Sequence, residues 1–291
     1  MKMEFCEEII LPELPEVETI ACGVHERIAG ESIVSVWFSE KKEPMKSSPA
    51  DMAVVLEGAR IDCVHRIGKH IVFDLEKDSA GKNSAKKKTQ WIVHLGMSGR
   101  LLVNDSDVPI PAHTHANLRL SSGRELRFVD PRRFGRLSVV RSNEDGSGGF
   151  SGPGSEPLTI SSNEFAALFT GRKTPIKAAL LDQSLLHGVG NIYADESLFR
   201  AGIRPTRLAG KLKKEELTRL HKSVQTVLKQ AIKLGGSSVS DYVDADGVAG
   251  FFQLRHKVYQ RTGEPCCMCK TPIKRITLAG RSTHFCPKCQ K

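Results

Sequence analysis

Four cysteines near the carboxyl end carry the plainest chemistry in the chain. Cys266-x-x-Cys269 and Cys286-x-x-Cys289 stand sixteen residues apart. Each pair offers two soft thiolates from one tight knuckle, which is the ligand set and spacing of a tetrathiolate zinc site. Cys267 competes with Cys266 but lacks the two-residue gap to Cys269, and His284 is a weaker competitor. Two structural disulfides are the alternative, and they suit an oxidising compartment rather than the intracellular setting read here. Cys6, Cys22 and Cys63 are simplest as free thiols. A closed four-cysteine site holds a fold together and leaves no open position for catalysis.

Three other strings have side chains suited to a polyanion. Asp130-Pro131-Arg132-Arg133-Phe134-Gly135 puts two cations and an aromatic ring on a turn, and His94-Leu95-Gly96-Met97-Ser98-Gly99 puts a methionine on another. A lone Met or Phe usually belongs to a core. Flanked by glycine, proline and arginine, these two are expected on exposed turns, where an apolar wedge fills the gap left by an extruded base. Gly188-Val189-Gly190-Asn191 precedes a helical stretch. It reads either as an interhelical turn or as an anion site built from helix N-terminal N–H groups. Leu11 to Thr19 crowds two prolines and three carboxylates ahead of an amphipathic run. Alone, that pattern is a turn with acids complementing a helix dipole.

Charge points the same way. The 291 residues have a formal charge of +10, and Phe251 to Lys291 holds nine Lys and Arg against Glu264 alone, a net of +8. Such a basic excess on a zinc module marks a nucleic-acid binder. No stretch reaches the ~18 apolar residues of a membrane span, and residues 1–12 lack the apolar core of a secretory signal. A soluble cytoplasmic protein is expected.

The elements that must position these groups are of two kinds. Val17, Ile20, Ala21, Val24 and Ile28 predict a helix from about Pro15 to Ala29, stopped by Gly30. Short strand-like runs follow at 33–38, 61–66, 70–75, 91–95, 101–104, 117–120, 125–129 and 136–141. Many short strands with turn residues between them predict an antiparallel sandwich or barrel. Residues 77–89 read as a loose basic hairpin tip. Residues 143–157, rich in Gly, Ser and acids, read as a linker between a domain over 12–142 and a helical one over 158–250. Leu217, Leu220, Val224, Val227, Leu228 and Ile232 form a helical stripe that ends at Gly235-Gly236, and 251–291 form a cysteine-bearing hairpin module. The fold class is therefore α+β.

Together these strings resemble the formamidopyrimidine-DNA glycosylase family over nearly all of Pro12 to Lys291. In that family the first proline is the chain terminus, and its secondary amine is the nucleophile. The resemblance makes Pro12 that nucleophile, Glu13 the acid that protonates the sugar ring oxygen, and Glu16 a supporting carboxylate. It places Lys69, in Arg66-Ile67-Gly68-Lys69-His70, on the lesion's phosphate and within the catalytic set. Met97, Arg132 and Phe134 would enter the duplex, with Arg132 taking the hydrogen bonds of the orphaned partner base. His113, Lys177 and Asn191 become further DNA ligands, the last two on phosphates flanking the lesion. The Asn191 match runs on through Ser197-Leu198-Phe199 and Ala201-Gly202-Ile203-x-Pro205. Gly263-Glu264-Pro265-Cys266, Arg281-Ser282-Thr283 and Phe285-Cys286-Pro287 resemble the family's zinc finger. Arg281 would contact phosphates beside the lesion and belong to the catalytic set. The residue before it is usually glutamine; here it is Gly280.

The activity implied is excision of oxidised purines such as 8-oxoguanine and formamidopyrimidines, followed by β,δ-elimination through a Schiff base. Leu14 fits the purine branch, since the endonuclease VIII branch usually has glycine there. Residues 235–255 have the length and glycine pattern of a loop that covers extruded 8-oxoguanine. Oxidised pyrimidines are the runner-up, and a non-catalytic DNA-binding relative is the reading from a different class. The implied cofactor is one structural Zn2+. The implied partner is double-stranded DNA containing an oxidised base, bound by a monomer at the bacterial nucleoid, with no membrane. Eleven residues precede Pro12, so as written its nitrogen is an amide. Bacteria start translation at some leucine codons, and the methionine installed is removed ahead of proline. A mature chain beginning at Pro12, after initiation at Leu11, is therefore expected, with 1–11 as an extension.

Overall fold

The computed structural model describes residues 12–77, 87–141, 148–237 and 250–291. They form two compact units. Of the described residues, the first takes in Pro12, those between Glu16 and Phe150, Ser237 and Gly250; the second takes in Glu13–Pro15, Ser151–Gly236 and Phe251–Lys291.

Helix α1, Leu14–Ile28, leads into the first unit. Its Val17, Ile20, Ala21, Val24 and Ile28 are all buried, the stripe that three- and four-residue spacing dictates. Gly30, at φ +87°, ends it. Two four-stranded antiparallel sheets follow. One has the order β1 (Ile33–Phe38), β6 (Thr114–Leu120), β7 (Glu125–Val129), β5 (Arg100–Asn104); the other has β2 (Arg60–Ile67), β3 (His70–Lys77), β4 (Lys87–His94), β8 (Arg136–Arg141). Alternating residues of both sheets meet α1 in one core that includes Ile33, Phe73, Trp91, Leu118, Phe128 and Leu137. The expected sandwich and all eight strand runs are present, several longer by one to four residues.

Helix α2, Pro49–Leu56, has no counterpart among the elements that the sequence pattern predicts. Ser48 caps it by accepting the Asp51 N–H, and Met52, Val55 and Leu56 are buried. Only two turns long, it carries too little periodicity to read. The basic hairpin tip lies outside the described residues, but β3 and β4 pair as far as Lys77 and Lys87.

The second unit is helical and ends in a hairpin. Its helices are α3 (Ser162–Ala167), α4 (Ile176–Leu181), α5 (Asn191–Ala201) and α6 (Lys214–Lys233). α3 begins at a Ser161–Glu164 capping box. α6 buries Leu217, Leu220, Val224, Val227 and Leu228 and stops at Gly235, φ +72°. α5 is buried on nearly every face, Asp195 and Glu196 included, so its polar groups must find internal partners. Strands β9 (Lys274–Leu278) and β10 (Arg281–Phe285) form the hairpin. Its turn residues Ala279 and Gly280 both have positive φ, +48° and +73°, as a tight two-residue turn requires. Among the described residues, no helix is long and apolar enough to cross a membrane.

Candidate nucleic-acid interface and metal centre

In the second unit, the amino end of α5 is an anion site that the chain fills for itself. The Asn191 N–H donates to Glu13 Oε1 at 2.6 Å. Glu13 is only 4% exposed, and the positive end of the helix dipole faces its carboxylate. Leu14 N–H donates to the Gly188 carbonyl at 3.0 Å, which ties the segment beside Pro12 to the glycine turn. The structure thus gives the backbone N–H of this helix terminus to Glu13, where the sequence pattern alone left an interhelical turn and an anion site open.

Glu16, in the first unit, is 1% exposed and accepts the Ser237 N–H at 2.7 Å. It therefore fixes the root of the segment expected to cover an extruded purine; residues 238–249 of that segment lie outside the described residues. Lys69 and Gly68, at φ +62°, form the two-residue turn between β2 and β3, and Lys69 is half-buried.

The two turns expected to enter DNA lie side by side in the first unit. Arg132, Arg133 and Phe134 are exposed and Met97 is half-buried. The Arg132 guanidinium carbon lies 5.0 Å from the centre of the Phe134 ring, a cation–π pair. Asp130 braces both turns from beneath, fully buried. Its Oδ1 accepts the Ser98 hydroxyl at 2.5 Å, its Oδ2 accepts the Gly135 N–H at 2.8 Å, and Ser98 Oγ accepts the Arg132 N–H at 3.3 Å. A side chain on Gly96 would lie 2.5 Å from the Phe134 carbonyl carbon, so only glycine lets the turns approach this closely. His94 Nδ1 accepts the Gly96 N–H at 3.2 Å. Burial, reinforced by the charges of His70, Lys69 and Arg136, lowers the His94 imidazole to about 4, so it stays neutral and keeps that acceptor.

His113 is exposed, at φ +64°, and its carbonyl accepts the Asp130 N–H at 3.0 Å. The loop before it is held by buried Arg127, which donates to the carbonyls of Val108 and Pro109 and to Glu125.

In the second unit Arg281 is exposed at the start of β10, and Asn191 Nδ2 donates to Ser282 Oγ at 3.2 Å. Lys177 differs from expectation. It is 1% exposed, paired with Asp195 at 2.7 Å, and donates to Ser282 O at 2.6 Å and Thr283 Oγ1 at 3.0 Å. An ammonium this buried, paired with a buried carboxylate and donating to two internal acceptors, is not presented to a phosphate, which corrects its reading as a DNA ligand. Glu196 is buried too and accepts the N–H groups of Lys257, Val258 and Tyr259 at 2.9 Å. Burial raises its carboxyl, with those N–H groups opposing.

Cys266, Cys269, Cys286 and Cys289 converge with their sulfurs all within 4.8 Å of one another. Four sulfurs at ~2.3 Å from one tetrahedral ion stand about 3.8 Å apart, so the donor set fits zinc. Cys267 is exposed and outside the cluster, and the His284 ring lies against Asp195 Oδ2 instead. Both competitors are thereby removed.

Sequence comparison agrees with this geometry. Residues 11–137 match the formamidopyrimidine-DNA glycosylase N-terminal domain, 152–243 its H2TH domain, and 263–291 a zinc finger found in FPG and IleRS. The formamidopyrimidine-DNA glycosylase of Solibacter usitatus is 43% identical over 281 residues, covering 97% of this chain and 100% of its own. The chain belongs to the formamidopyrimidine-DNA glycosylase family. Two solved structures of the Lactococcus lactis family member are similar at 32% identity and cover 96% of this chain and 100% of theirs. One, at TM-score 0.83, is a point mutant with a Fapy-dG containing DNA. The other, at TM-score 0.82, is the wild type with an oxidized pyrimidine containing DNA.

As in the family's zinc finger, the four thiolates hold a structural zinc. Beyond the residues read from sequence, the family's glycosylase scaffold here uses buried Asp130, Asp195 and Glu196 and half-buried Ser98 as braces. Asp130 opens the Asp130–Gly135 turn, where the two arginines carry the stronger sequence signal. Asp195 and Glu196 sit on a helix buried on both faces, where polarity normally signals solvent.

Proposed function

We propose that this chain is a bifunctional base-excision repair enzyme that removes oxidised purines from duplex DNA and then cleaves the abasic strand. The observation that carries it is the Glu13 carboxylate seated on the amino end of α5, directly beside Pro12 in the chain. With Pro12 as terminus, its secondary amine titrates near pH 8, so part of it is neutral in the cell. The nitrogen lone pair attacks the anomeric carbon, the glycosidic electrons leave with the base, and the proton of the amine passes to the departing base. Glu13 protonates the sugar ring oxygen as the ring opens to an iminium. The iminium acidifies the adjacent sugar proton, whose loss expels the 3′ phosphate; the conjugated iminium so formed acidifies a second sugar proton, whose loss expels the 5′ phosphate and leaves a one-nucleotide gap. Lys69, His113, Asn191 and Arg281 supply cations and donors for phosphates. Met97, Phe134 and Arg132 fill the space of the extruded nucleotide. Catalysis belongs to 12–142, a linker to 143–157, and DNA binding to 158–250 and the zinc finger 251–291. The enzyme acts in the cytoplasm, at the nucleoid.

The Lactococcus lactis structure with an oxidized pyrimidine supports a second reading, in which pyrimidine lesions are also substrates. The test is an end-labelled duplex carrying 8-oxoguanine, beside one carrying dihydrothymine. Cleavage of the first to a one-nucleotide gap is expected, with undamaged duplex intact. Faster cleavage of the dihydrothymine duplex would favour the pyrimidine reading; no cleavage of either by protein whose measured mass begins at Pro12 would refute both.

A further inference from the structure

We infer that Asp195 is a positioning residue: through Lys177 and His284 it fixes the strand that presents Arg281. The inference rests on the proposed function, from which the role of Arg281 is taken. Asp195 and Lys177 are 0% and 1% exposed, and their charges lie 2.7 Å apart. A buried ion pair is a poor source of net stability compared with apolar residues of the same size, and its best-attested use is to set a register. Here the register is that of β10. Lys177 Nζ donates to Ser282 O and Thr283 Oγ1, and Asp195 Oδ2 accepts the His284 N–H at 2.8 Å. Ser282 O and His284 N–H lie on the edge of β10 that its partner β9 leaves open, since residues two apart point the same way. One ion pair therefore grips three consecutive residues, and Arg281 is the next. Thr283 Oγ1 also donates to the Arg281 carbonyl at 3.3 Å.

Arg281 itself is exposed, the first residue of β10 after the Ala279–Gly280 turn, and a Cβ built on Gly280 would meet no atom within 4 Å. Its aim is set by its backbone, and that backbone is set by the ion pair. Zinc fixes the opposite end of the hairpin, through Cys286. The strand is thus held at both ends, by metal at the base and by Asp195 near the tip.

The test is a double-mutant cycle in full-length mature protein, read as the single-turnover rate of cleavage of an 8-oxoguanine duplex, with zinc content measured for each variant. Asp195→Asn keeps the size and the acceptor for His284 but leaves Lys177 uncompensated. It is expected to slow cleavage at least tenfold in the wild-type background and less than twofold in an Arg281→Ala background, because the two changes remove the same function. Equal slowing in both backgrounds, or no slowing, overturns the inference. Should Asp195→Asn lose zinc, the paired change Lys177→Met with Asp195→Leu, which leaves no lone charge, takes its place in the same cycle with the same expectations. Absence of cleavage by the wild type would instead refute the proposed function.

Discussion

The Glu13 carboxylate occupies the space that a side chain on Gly190 would need. A Cβ placed there would lie 1.9 Å from the Glu13 carboxyl carbon, while the neighbouring Asn191 N–H donates to Glu13 Oε1 at 2.6 Å. Gly190 has φ −126°, an ordinary value, so close approach and not backbone strain calls for glycine. Gly190→Ala is therefore expected to displace the carboxylate. The account predicts a loss of single-turnover cleavage of about a hundredfold with a stability cost of roughly 1–3 kcal/mol, the usual range for overpacking. Wild-type cleavage by a folded Gly190→Ala protein would show that the place of Glu13 does not matter.

Asp130 ties the Met97 turn to the Arg132–Phe134 turn. Asp130→Ala leaves the Ser98 hydroxyl and the Gly135 N–H without their acceptor, so a loss of about 3 kcal/mol is expected. Ser98→Ala, which removes one of those bonds, should cost about 1 kcal/mol. Both variants should blunt discrimination between cytosine and adenine opposite 8-oxoguanine, because Arg132 sits on the disturbed turn. Thermal melts and paired cleavage assays check this; unchanged discrimination in both variants would remove Asp130 from any role in reading the partner base.

His94 gives the molecule an acid-sensitive joint. Its folded value of about 4, lowered by burial and nearby cations, lies below the unfolded value of ~6.5. The unfolded chain therefore binds the extra proton first. The stability involved is fully present above pH 6.5 and is lost as pH falls toward 4, up to about 3 kcal/mol. The melting temperature should drop over that window, and His94→Gln should flatten the drop. An identical pH profile for the variant would contradict the assignment.

Zinc removal should act on DNA binding. Cys286→Ser, or prolonged chelation, is expected to abolish zinc binding and weaken affinity for an abasic-site-analogue duplex at least a hundredfold, because the hairpin carrying Arg281 loses its base. Metal analysis and fluorescence anisotropy of the same samples decide it, and tight binding by zinc-free protein would count against the role given to the hairpin.

Much of this was legible in the residues. The sandwich strands, the α6 stripe and the zinc ligands follow from alternation, three- and four-residue spacing and paired thiols, which are local signals. What stayed hidden is long-range. Glu13 and Asn191 are 178 positions apart, and Glu16 and Ser237 are 221 apart, so no window along the chain joins them. The resemblance alone makes Lys177 a phosphate ligand; its partner Asp195 lies on a helix buried on nearly every face, and no local pattern along the chain announces their ion pair. The two-turn α2 is too short to show a period.

The central claim is that Pro12 becomes a free amine that attacks the sugar. Borohydride reduction of the protein on an 8-oxoguanine duplex, followed by intact-mass and peptide mapping, tests it most directly. The account predicts a protein beginning at Pro12 that is trapped on DNA through that residue, and no trapping of a form retaining residues 1–11. A trapped product mapped to a lysine, or no trapped product from protein verified to begin at Pro12, would contradict it.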